Sequence, residues 1–294
     1  MNMNKLLSAT LMCLFAATGY AEEVDRTVDA DDDGHIDISN IAGAITVKGW
    51  QRNVVEVTGT LGRNVEELIV ERDGDTVVVK VKVPRNSGRG IDSDLHINVP
   101  QNSSLDIGTV SADIDVTDVQ GEQSLHTVSG NVNTEYTGAD MEAESVSGDV
   151  EITGDGADGE IEASTVSGDV TLFRLAGEVE AASVSGNVIV DEGSFSRAEL
   201  GTVNGEIVFH AKLRDESKLS ADTVNGDIDI EFVGDVSARI EIDTFNGAIR
   251  NCFGPKAERT SKYTPGWELE FMQGDGDGDV NISTMNGRVI LCKK

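Results

Sequence analysis

The sequence predicts an all-β protein that folds as a parallel β-solenoid, also called a β-helix. Three observations lead to this fold class: a short signature recurs at nearly constant spacing, apolar and polar residues alternate around it, and aromatic residues make up only 4% of the chain. A large core with so few aromatics must be filled by Val, Ile, Leu and Ala. An aliphatic core of this kind favours a thin, repetitive fold over a single globular core.

The recurring signature consists of Ser/Thr, an apolar residue, Ser/Asn, Gly, a variable residue and Val/Ile, with Ala replacing Gly in the first copy. Successive starts between residues 109 and 244 differ by 18 to 21 residues. A fixed period of this kind indicates a stacked repeat. The copies begin at Thr109, Thr127, Ser145, Thr165, Ser183, Thr202, Thr223, Thr244 and Thr284.

Residues around the signature alternate with period two, as in 160–165 and 169–172. This alternation predicts strands with one buried face, and no helical pattern of comparable strength separates them. Without crossover helices, such strands stack in parallel only by coiling. A coil of about 18 to 21 residues has a perimeter of about 60 Å at ~3.3 Å per residue, enough for two or three short faces.

Two structural roles are predicted within the signature. The glycines, such as Gly130, Gly148 and Gly168, are expected to adopt positive φ at a corner of the coil. The preceding position is expected to form side-chain ladders along one edge. Its members are Ser129, Ser147, Ser167, Ser185, Asn204, Asn225, Asn246 and Asn286.

The ends of a solenoid require caps. Residues 22–100 are predicted to form an N-terminal β region that caps solenoid repeats at 101–294, with a hairpin turning at Asp73-Gly74-Asp75. Near the other end, the signature starts at Thr244 and Thr284 lie 40 residues apart. We favour a loop insertion near 253–278 within one coil; an extra degenerate coil is the alternative.

Cys252 and Cys292 each lie eight residues after a signature start. If their coils are neighbours, the strand spacing of ~4.8 Å falls within the Cα–Cα window of about 4.4 to 6.8 Å that a disulfide requires. An intervening coil would double that separation. We predict a Cys252–Cys292 disulfide that staples the last coil.

Residues 1–21 have the pattern of a secretory signal: a basic start ending at Lys5, an apolar stretch, and Gly-Tyr-Ala before a cleavage site after Ala21. A lipid anchor at Cys13 is the less favoured alternative, because Met12 rather than a small residue precedes it. The apolar run is shorter than the roughly 20 residues that span a bilayer, and no transmembrane segment is predicted in the mature chain. We therefore expect an exported protein, periplasmic or on the cell surface.

The net charge of −30 bears on partners. Nucleic acids and bare anionic lipid bind through clustered Lys and Arg, so neither is expected as a partner. A well-solvated surface is the favoured explanation of the acidity. A surface that carries or is bridged by cations is the alternative.

Asp29, Asp31 and Asp33, followed by Gly34, have the spacing of a calcium loop. Position 12 of that loop is Asn40 where calcium binding requires Glu, and no helix is predicted to flank it. A solvated acidic lead-in to the first strand is therefore favoured, with calcium as the alternative. No other cofactor is predicted.

The sequence carries no recognisable catalytic apparatus. The four histidines, His35, His96, His126 and His210, are scattered without metal-ligand spacing, and neither a G-x-S-x-G elbow nor a P-loop is present. Tyr263 and Trp267 flank Pro265-Gly266 in the insertion. They could contact a partner, although covering the open solenoid end is the favoured role.

With these motifs in place, the chain resembles a bacterial family known as putative adhesins, a domain of unknown function with a repeated V-S/N-G-D/N-V signature. The segments ISNIAGAITVKGWQRNVVEVTGTLG and LHINVPQNSSLDIGTVSADIDV and the cysteine-containing C-terminal portion also resemble this family. The resemblance covers nearly all of the mature chain. It implies a non-enzymatic, adhesion-like protein.

The leading functional hypothesis is therefore a binding or scaffolding protein of the cell envelope whose partner is an unknown envelope protein or glycan. One alternative is a β-helix enzyme acting on acidic polysaccharide with calcium held by surface Asp residues. The other is a structural protein that self-associates end to end.

Overall fold

The computed structural model describes residues 22–85, 89–261 and 265–294. The predicted signal segment 1–21 and Tyr263 lie outside this range. The described residues are all-β: they form 22 strands joined in one sheet system, and none of them lies in a helix. Within that range, then, no helix could cross a membrane.

The strands are numbered in chain order. They are β1 Glu22–Asp29, β2 His35–Trp50, β3 Val54–Leu61, β4 Glu67–Asp73, β5 Thr76–Lys82, β6 Ser93–Pro100, β7 Ser104–Thr117, β8 Gln123–Thr127, β9 Val132–Tyr136, β10 Met141–Ser147, β11 Val150–Gly154, β12 Asp158–Ser167, β13 Val170–Ser185, β14 Val188–Asn204, β15 Ile207–Asn225, β16 Ile228–Phe232, β17 Ala238–Asn246, β18 Ile249–Asn251, β19 Glu258–Arg259, β20 Trp267–Gln273, β21 Gly278–Asn286 and β22 Val289–Lys293.

The central part of the chain is a stack of parallel coils, which we call rungs. Each rung contributes one strand segment before the signature corner and one after it. Before the corner, Met141 pairs with Gln123 below it and Ile161 above it. After the corner, Val150 pairs in the same way with Val132 and Val170. The chain therefore forms a β-solenoid-like stack.

The core lies between the two strand segments of each rung. It is aliphatic over most of its length, as the low aromatic content predicts. Towards the C-terminal end, five phenylalanines contact one another in sequence, with neighbouring ring centroids 5.8 to 6.4 Å apart. The last two are half-buried and cover this end of the stack. In order, the rings are Phe195, Phe209, Phe232, Phe253 and Phe271.

The signature glycines do not have the conformation that the sequence suggested. Gly130, Gly148 and Gly168 are absent from the positive-φ residues, so that prediction was wrong. Glycine is required at the corner because consecutive rungs approach too closely there for a side chain. A Cβ on Gly148 would lie 1.9 Å from the carbonyl oxygen of Gly130, and one on Gly168 would lie 2.2 Å from that of Gly148.

Side chains on both sides of the glycine secure this close approach. The buried hydroxyl of Thr165 donates a hydrogen bond of 2.9 Å to the Gly148 carbonyl of the preceding rung. Position five, which the sequence left as variable, also has a role: the Asp149 carboxylate accepts a 2.9 Å bond from the backbone N–H of Asp169 on the next rung. The signature thus links each corner to its neighbours.

The predicted side-chain ladder is present where the position carries asparagine. The amide of Asn225 donates to the side-chain oxygen of Asn204 over 2.9 Å, Asn286 donates to Asn225, and Asn246 donates to Asn286 over the same distance. The serines stack in register below them, with Ser167 paired to both Ser147 and Ser185.

Rung order departs from chain order at the N-terminal end. β2 is the first rung segment in the sequence, yet it lies between β7 on one side and β5 with β6 on the other. The hairpin of β4 and β5 turns at Gly74, where φ is 67°. Parallel pairing therefore includes strands before residue 100 as well as strands after it. The hairpin strand β5 forms part of the outermost rung at this end.

The C-terminal end shows the same exchange. β21 pairs in parallel with β15 on one side and β17 on the other, and β22 lies likewise between β16 and β18. The coils that begin at Thr244 and Thr284 are therefore neighbours in the stack. The coil of Thr284 lies between those of Thr223 and Thr244, so the coil of Thr244 is the outermost. Along the chain, segment 253–278 is an insertion between these two coils, and it carries β19 and β20.

This order satisfies the condition for the predicted disulfide, which is confirmed. Cys252 and Cys292 are bonded, with their Cα atoms 4.9 Å apart. The bond ties the outermost rung to the rung inside it.

Antiparallel strands cover the outer edges of the two terminal rungs. β4 pairs with β5 and β3 with β6 at one end, and β20 pairs with β17 at the other. Covered edges limit pairing with other chains.

Replacing a stacked corner glycine tests the steric explanation. A Cβ on Gly186 would lie 1.8 Å from the Gly168 carbonyl oxygen, so Gly186→Ala is expected to lower the free energy of unfolding by about 2 kcal/mol or more. Gly201→Ala is the control, because a Cβ there meets no atom within 4 Å. Its effect in urea unfolding should stay within about 1 kcal/mol. Equal destabilisation by both variants would contradict the explanation.

Removing the disulfide tests the terminal rung. The bond closes a 40-residue separation, so Cys252→Ser with Cys292→Ser is expected to lower the free energy of unfolding by about 4 kcal/mol. Amide exchange should accelerate first in β17, β18, β21 and β22, because these strands lose the bond between their two rungs. Uniform acceleration across all rungs would contradict this assignment.

Candidate functional site

The strands before each corner present a continuous outer surface, which we call the signature face. Its most unusual feature is an exposed apolar row at the second signature position, which we call the valine column. The valines are between 39% and 46% exposed, Phe245 is 52% exposed and Met285 is 54% exposed. In rung order the column consists of Val110, Val128, Val146, Val166, Val184, Val203, Val224, Met285 and Phe245.

A second row on the signature face is acidic. Glu162 pairs with Glu142 on one neighbouring rung and Glu180 on the other, and Glu180 pairs with Glu199. These four residues, which we call the glutamate column, lie four positions before the valine column on the same strands. The two columns are thus about 13 Å apart at ~3.3 Å per residue.

Small residues form the surface between the columns on three consecutive rungs. Ser164 pairs with Ala182, which pairs with Gly201. Valine side chains border this strip on one side and glutamates on the other. The result is a shallow trough with one apolar wall and one acidic wall, and Glu144 and Asp222 occupy the position of the small residues on the rungs at its two ends.

The charge of the glutamate column is only partly compensated. Partial burial raises the pKa of Glu162, and the neighbouring carboxylates Glu180, Glu142, Glu144 and Glu160 raise it further. At one end of the column, Arg197 forms an ion pair with Glu199. The middle of the trough is therefore a region where added positive charge is stabilising.

One group on this face combines ligand types that suit a divalent cation. Ligand atoms of His126, Glu142 and Glu144 lie within 4.8 Å of one another. A His126 ring nitrogen lies 3.2 Å from a Glu144 carboxylate oxygen, and the other is 2.8 Å from the Ser124 hydroxyl. Sequence reasoning treated His126 as isolated, but Glu144 lies one 18-residue period further along and pairs with it in register.

The predicted calcium residues occupy the exposed end of β1 and the turn after it. The Asp31 Oδ2 accepts a 2.6 Å hydrogen bond from Arg72, so Arg72 already compensates part of the charge that a calcium ion would neutralise. All three residues lie in the described part of the chain, and their carboxylate oxygens are not all within 4.8 Å of one another, unlike the ligand atoms of the His126 group. Calcium at Asp29, Asp31 and Asp33 stays a prediction.

Trp267 lies at the start of β20, half-buried, with the Arg259 guanidinium carbon 5.1 Å from its ring centroid. Phenylalanines of the insertion cover the end of the core, so Trp267 is left at the surface beside a cavity of about 510 Å³. A partner contact through Tyr263 and Trp267 stays a prediction.

A cavity of about 550 Å³ lies between β17, β20 and the loop that precedes β20. Its polar lining consists of five carboxylates and one lysine: Glu241, Asp243, Glu258, Glu268, Glu270 and Lys256.

These features define a β-repeat protein with an extended, patterned face. Family comparison gives its membership: the Toastrack DUF4097 family matches residues 27–182 and 176–291, so the chain belongs to this family. The family has no established function, and the resemblance to putative adhesins predicted from the sequence is confirmed.

Similar solved structures include three bacterial proteins. A putative adhesin from Bacteroides fragilis NCTC 9343 shares 11% identity over 94% of this chain and 99% of its own, with a TM-score of 0.44. A putative lipid binding protein from Parabacteroides distasonis ATCC 8503 shares 14% over 93% and 98%, with a TM-score of 0.45. A putative cell adhesion protein from Clostridium sporogenes ATCC 15579 shares 11% over 94% and 100%, with a TM-score of 0.22. Comparison with curated proteins finds no match.

The charge of the glutamate column can be tested by neutralising its central residue. Because the pKa of Glu162 is raised in the folded state, its stabilising contribution is present below the ordinary value of 4.5 and is lost as pH rises through the folded value. Glu162→Gln should therefore raise Tm at pH 7 and leave it unchanged at pH 3.

Glu151→Gln is the matched control, since Glu151 is also exposed on a strand but pairs with the neutral residues Asn133 and Thr171. Thermal unfolding across pH 3 to 8 measures both variants. A gain for Glu162→Gln that persists at pH 3, or an equal gain for the control, would rule out repulsion as the cause.

Proposed function

We propose that this protein is a non-enzymatic binding protein of the cell envelope, with an adhesion-like or scaffolding role toward an envelope protein or glycan. The observation that carries the proposal is the valine column, which repeats an exposed apolar side chain on every signature rung. Contiguous exposed apolar surface on a soluble protein marks an interaction site.

The form of this surface favours binding over chemistry. A catalytic site brings different groups together at one point, whereas the signature face repeats the same groups along the stack. Solenoids use such extended surfaces to bind partners. Because every rung contributes the same side chain in register, an elongated partner could contact several rungs at once.

An oxidising compartment fits the disulfide, because such bonds persist in exported proteins. The proposed location is the periplasm or the cell surface, consistent with the signal pattern of residues 1–21. The strong negative charge supports partners other than nucleic acid.

The enzyme hypothesis requires a site that attracts acidic polysaccharide. Without a bound cation, the cavity of the insertion, which has five carboxylates and one lysine, repels such a polysaccharide. End-to-end assembly is also less favoured, because antiparallel strands cover the terminal rungs.

Binding to envelopes tests the proposal. Fluorescently labelled mature protein, with the disulfide intact, should bind isolated envelopes of the producing bacterium saturably and should be displaced by excess unlabelled protein. Absence of saturable binding, both with calcium and with a chelator, would contradict the proposed role. Release of reducing sugar ends from envelope polysaccharide would instead support the enzyme alternative.

A matched variant separates calcium from the rest of the proposal. Asp29→Asn, Asp31→Asn and Asp33→Asn together should abolish any calcium dependence of envelope binding if these residues hold the ion. Unchanged calcium dependence in this variant would exclude them as the calcium site.

A further inference from the structure

We infer that the trough between the valine and glutamate columns docks a basic amphipathic α-helix of a partner protein, with the helix axis running along the columns. This inference rests on the proposed binding function and specifies the partner's chemistry.

The apolar wall is a specific feature of this surface. Other outward positions of the signature carry polar residues, such as Ser167 and Asp169, whereas the second position is apolar on every rung. The valines occupy the same position on successive rungs, yet 39% to 46% of the surface of each stays exposed. A partner that covered the row would remove that surface from water, which is favourable.

The dimensions of the trough match an α-helix. The Cα atoms of the two columns are about 13 Å apart along the strands, so a helix about 10 to 12 Å across can lie over the small-residue strip and reach the side chains of both columns. The strip of Ser164, Ala182 and Gly201 leaves room for a helix to approach the sheet. Over the four rungs of the glutamate column the trough is about 14 Å long, which is the length of roughly ten helical residues at 1.5 Å per residue. The valine column continues beyond the trough to about 38 Å, the length of a helix of about 25 residues.

The charge of the trough selects the polar side of that helix. A helix whose apolar side contacts Val166, Val184 and Val203 turns its flank toward the glutamate column. Lys or Arg there would meet Glu162 and Glu180, whose carboxylates repel one another in the free protein. A cationic partner relieves this repulsion, so charge complementarity adds to apolar contact.

The same charge disfavours other occupants. A second copy of this chain carries the same net charge of −30, so apposing two signature faces would bring like charge together. An anionic membrane surface would be repelled for the same reason. A β-strand partner would need a free sheet edge, whereas the trough lies on a sheet face.

The probe is a synthetic 25-residue helical peptide with Leu on one side and Lys on the other, and binding is measured by titration calorimetry with the disulfide-intact mature protein. The apolar wall is removed by Val166→Thr, Val184→Thr and Val203→Thr together, because Thr keeps the β-branched shape. This triple variant should weaken binding at least 10-fold. Glu162→Gln with Glu180→Gln should also weaken it and should reduce its salt dependence.

Two matched controls define specificity. Ile189→Thr with Val208→Thr makes the same kind of change on the outer surface of the strands after the corner, where these residues pair with each other, and should leave binding unchanged. A peptide with Ser in place of Leu should bind the wild-type protein at least 10-fold more weakly. Circular dichroism and Tm verify folding; if the triple variant does not fold, Val184→Thr alone replaces it.

Several outcomes would overturn the inference. One is binding of the Leu–Lys peptide by the triple variant with the wild-type affinity. Another is binding of the peptide with Ser in place of Leu as tightly as the Leu–Lys peptide. The third is a wild-type dimer in sedimentation that the triple variant lacks, which would identify a second copy as the occupant. Saturable envelope binding that the triple variant retains would leave the proposed function standing and remove this docking mode. Loss of envelope binding in the triple variant, with binding retained by the Ile189→Thr, Val208→Thr control, supports both the proposed function and the docking mode.

Discussion

The close approach of consecutive rungs at the signature corner is the constraint on which the rest of this structure depends. The Gly148 carbonyl accepts the Thr165 hydroxyl from the next rung, and a Cβ on Gly168 would be 2.2 Å from that same carbonyl oxygen. The corner thus requires glycine at one position, because there is no room for a Cβ, and a buried hydroxyl at the Ser/Thr position. Because both recur on almost every rung, the columns on the outer surface stay in register over the length of the stack.

Regular corners determine what the outer surface can do. Asp149 and its equivalents turn their oxygens toward the N–H group of the next rung, so they contribute to stacking more than to solvation. The valine between the buried Thr and the exposed Ser/Asn position points outward on each rung. A structural repeat thereby produces a repeated apolar surface, and the functional proposal follows from the same residues that build the fold.

Much of this architecture could be predicted from the sequence, because period and alternation are local signals. The rungs, the asparagine ladder and the pairing of Cys252 with Cys292 follow from counting residues. Rung order could not be predicted in this way. The copies at Thr223, Thr244 and Thr284 are nearly interchangeable neighbours, so the sequence does not reveal that the last lies between the other two. The valine column was also missed, because binary patterning assigns apolar residues to the interior.

The exchanged order of the last two coils has a consequence for biogenesis. During synthesis the chain emerges from its N-terminal side, so β17 and β18 are made before β21 and β22, the strands that must lie between them and the rest of the stack. Until β21 and β22 arrive, the outermost coil has no parallel neighbour to stack on. Completion of the fold therefore requires the whole segment through Cys292, and a chain that stops before β21 leaves β17 and β18 without their parallel partners and open to proteolysis.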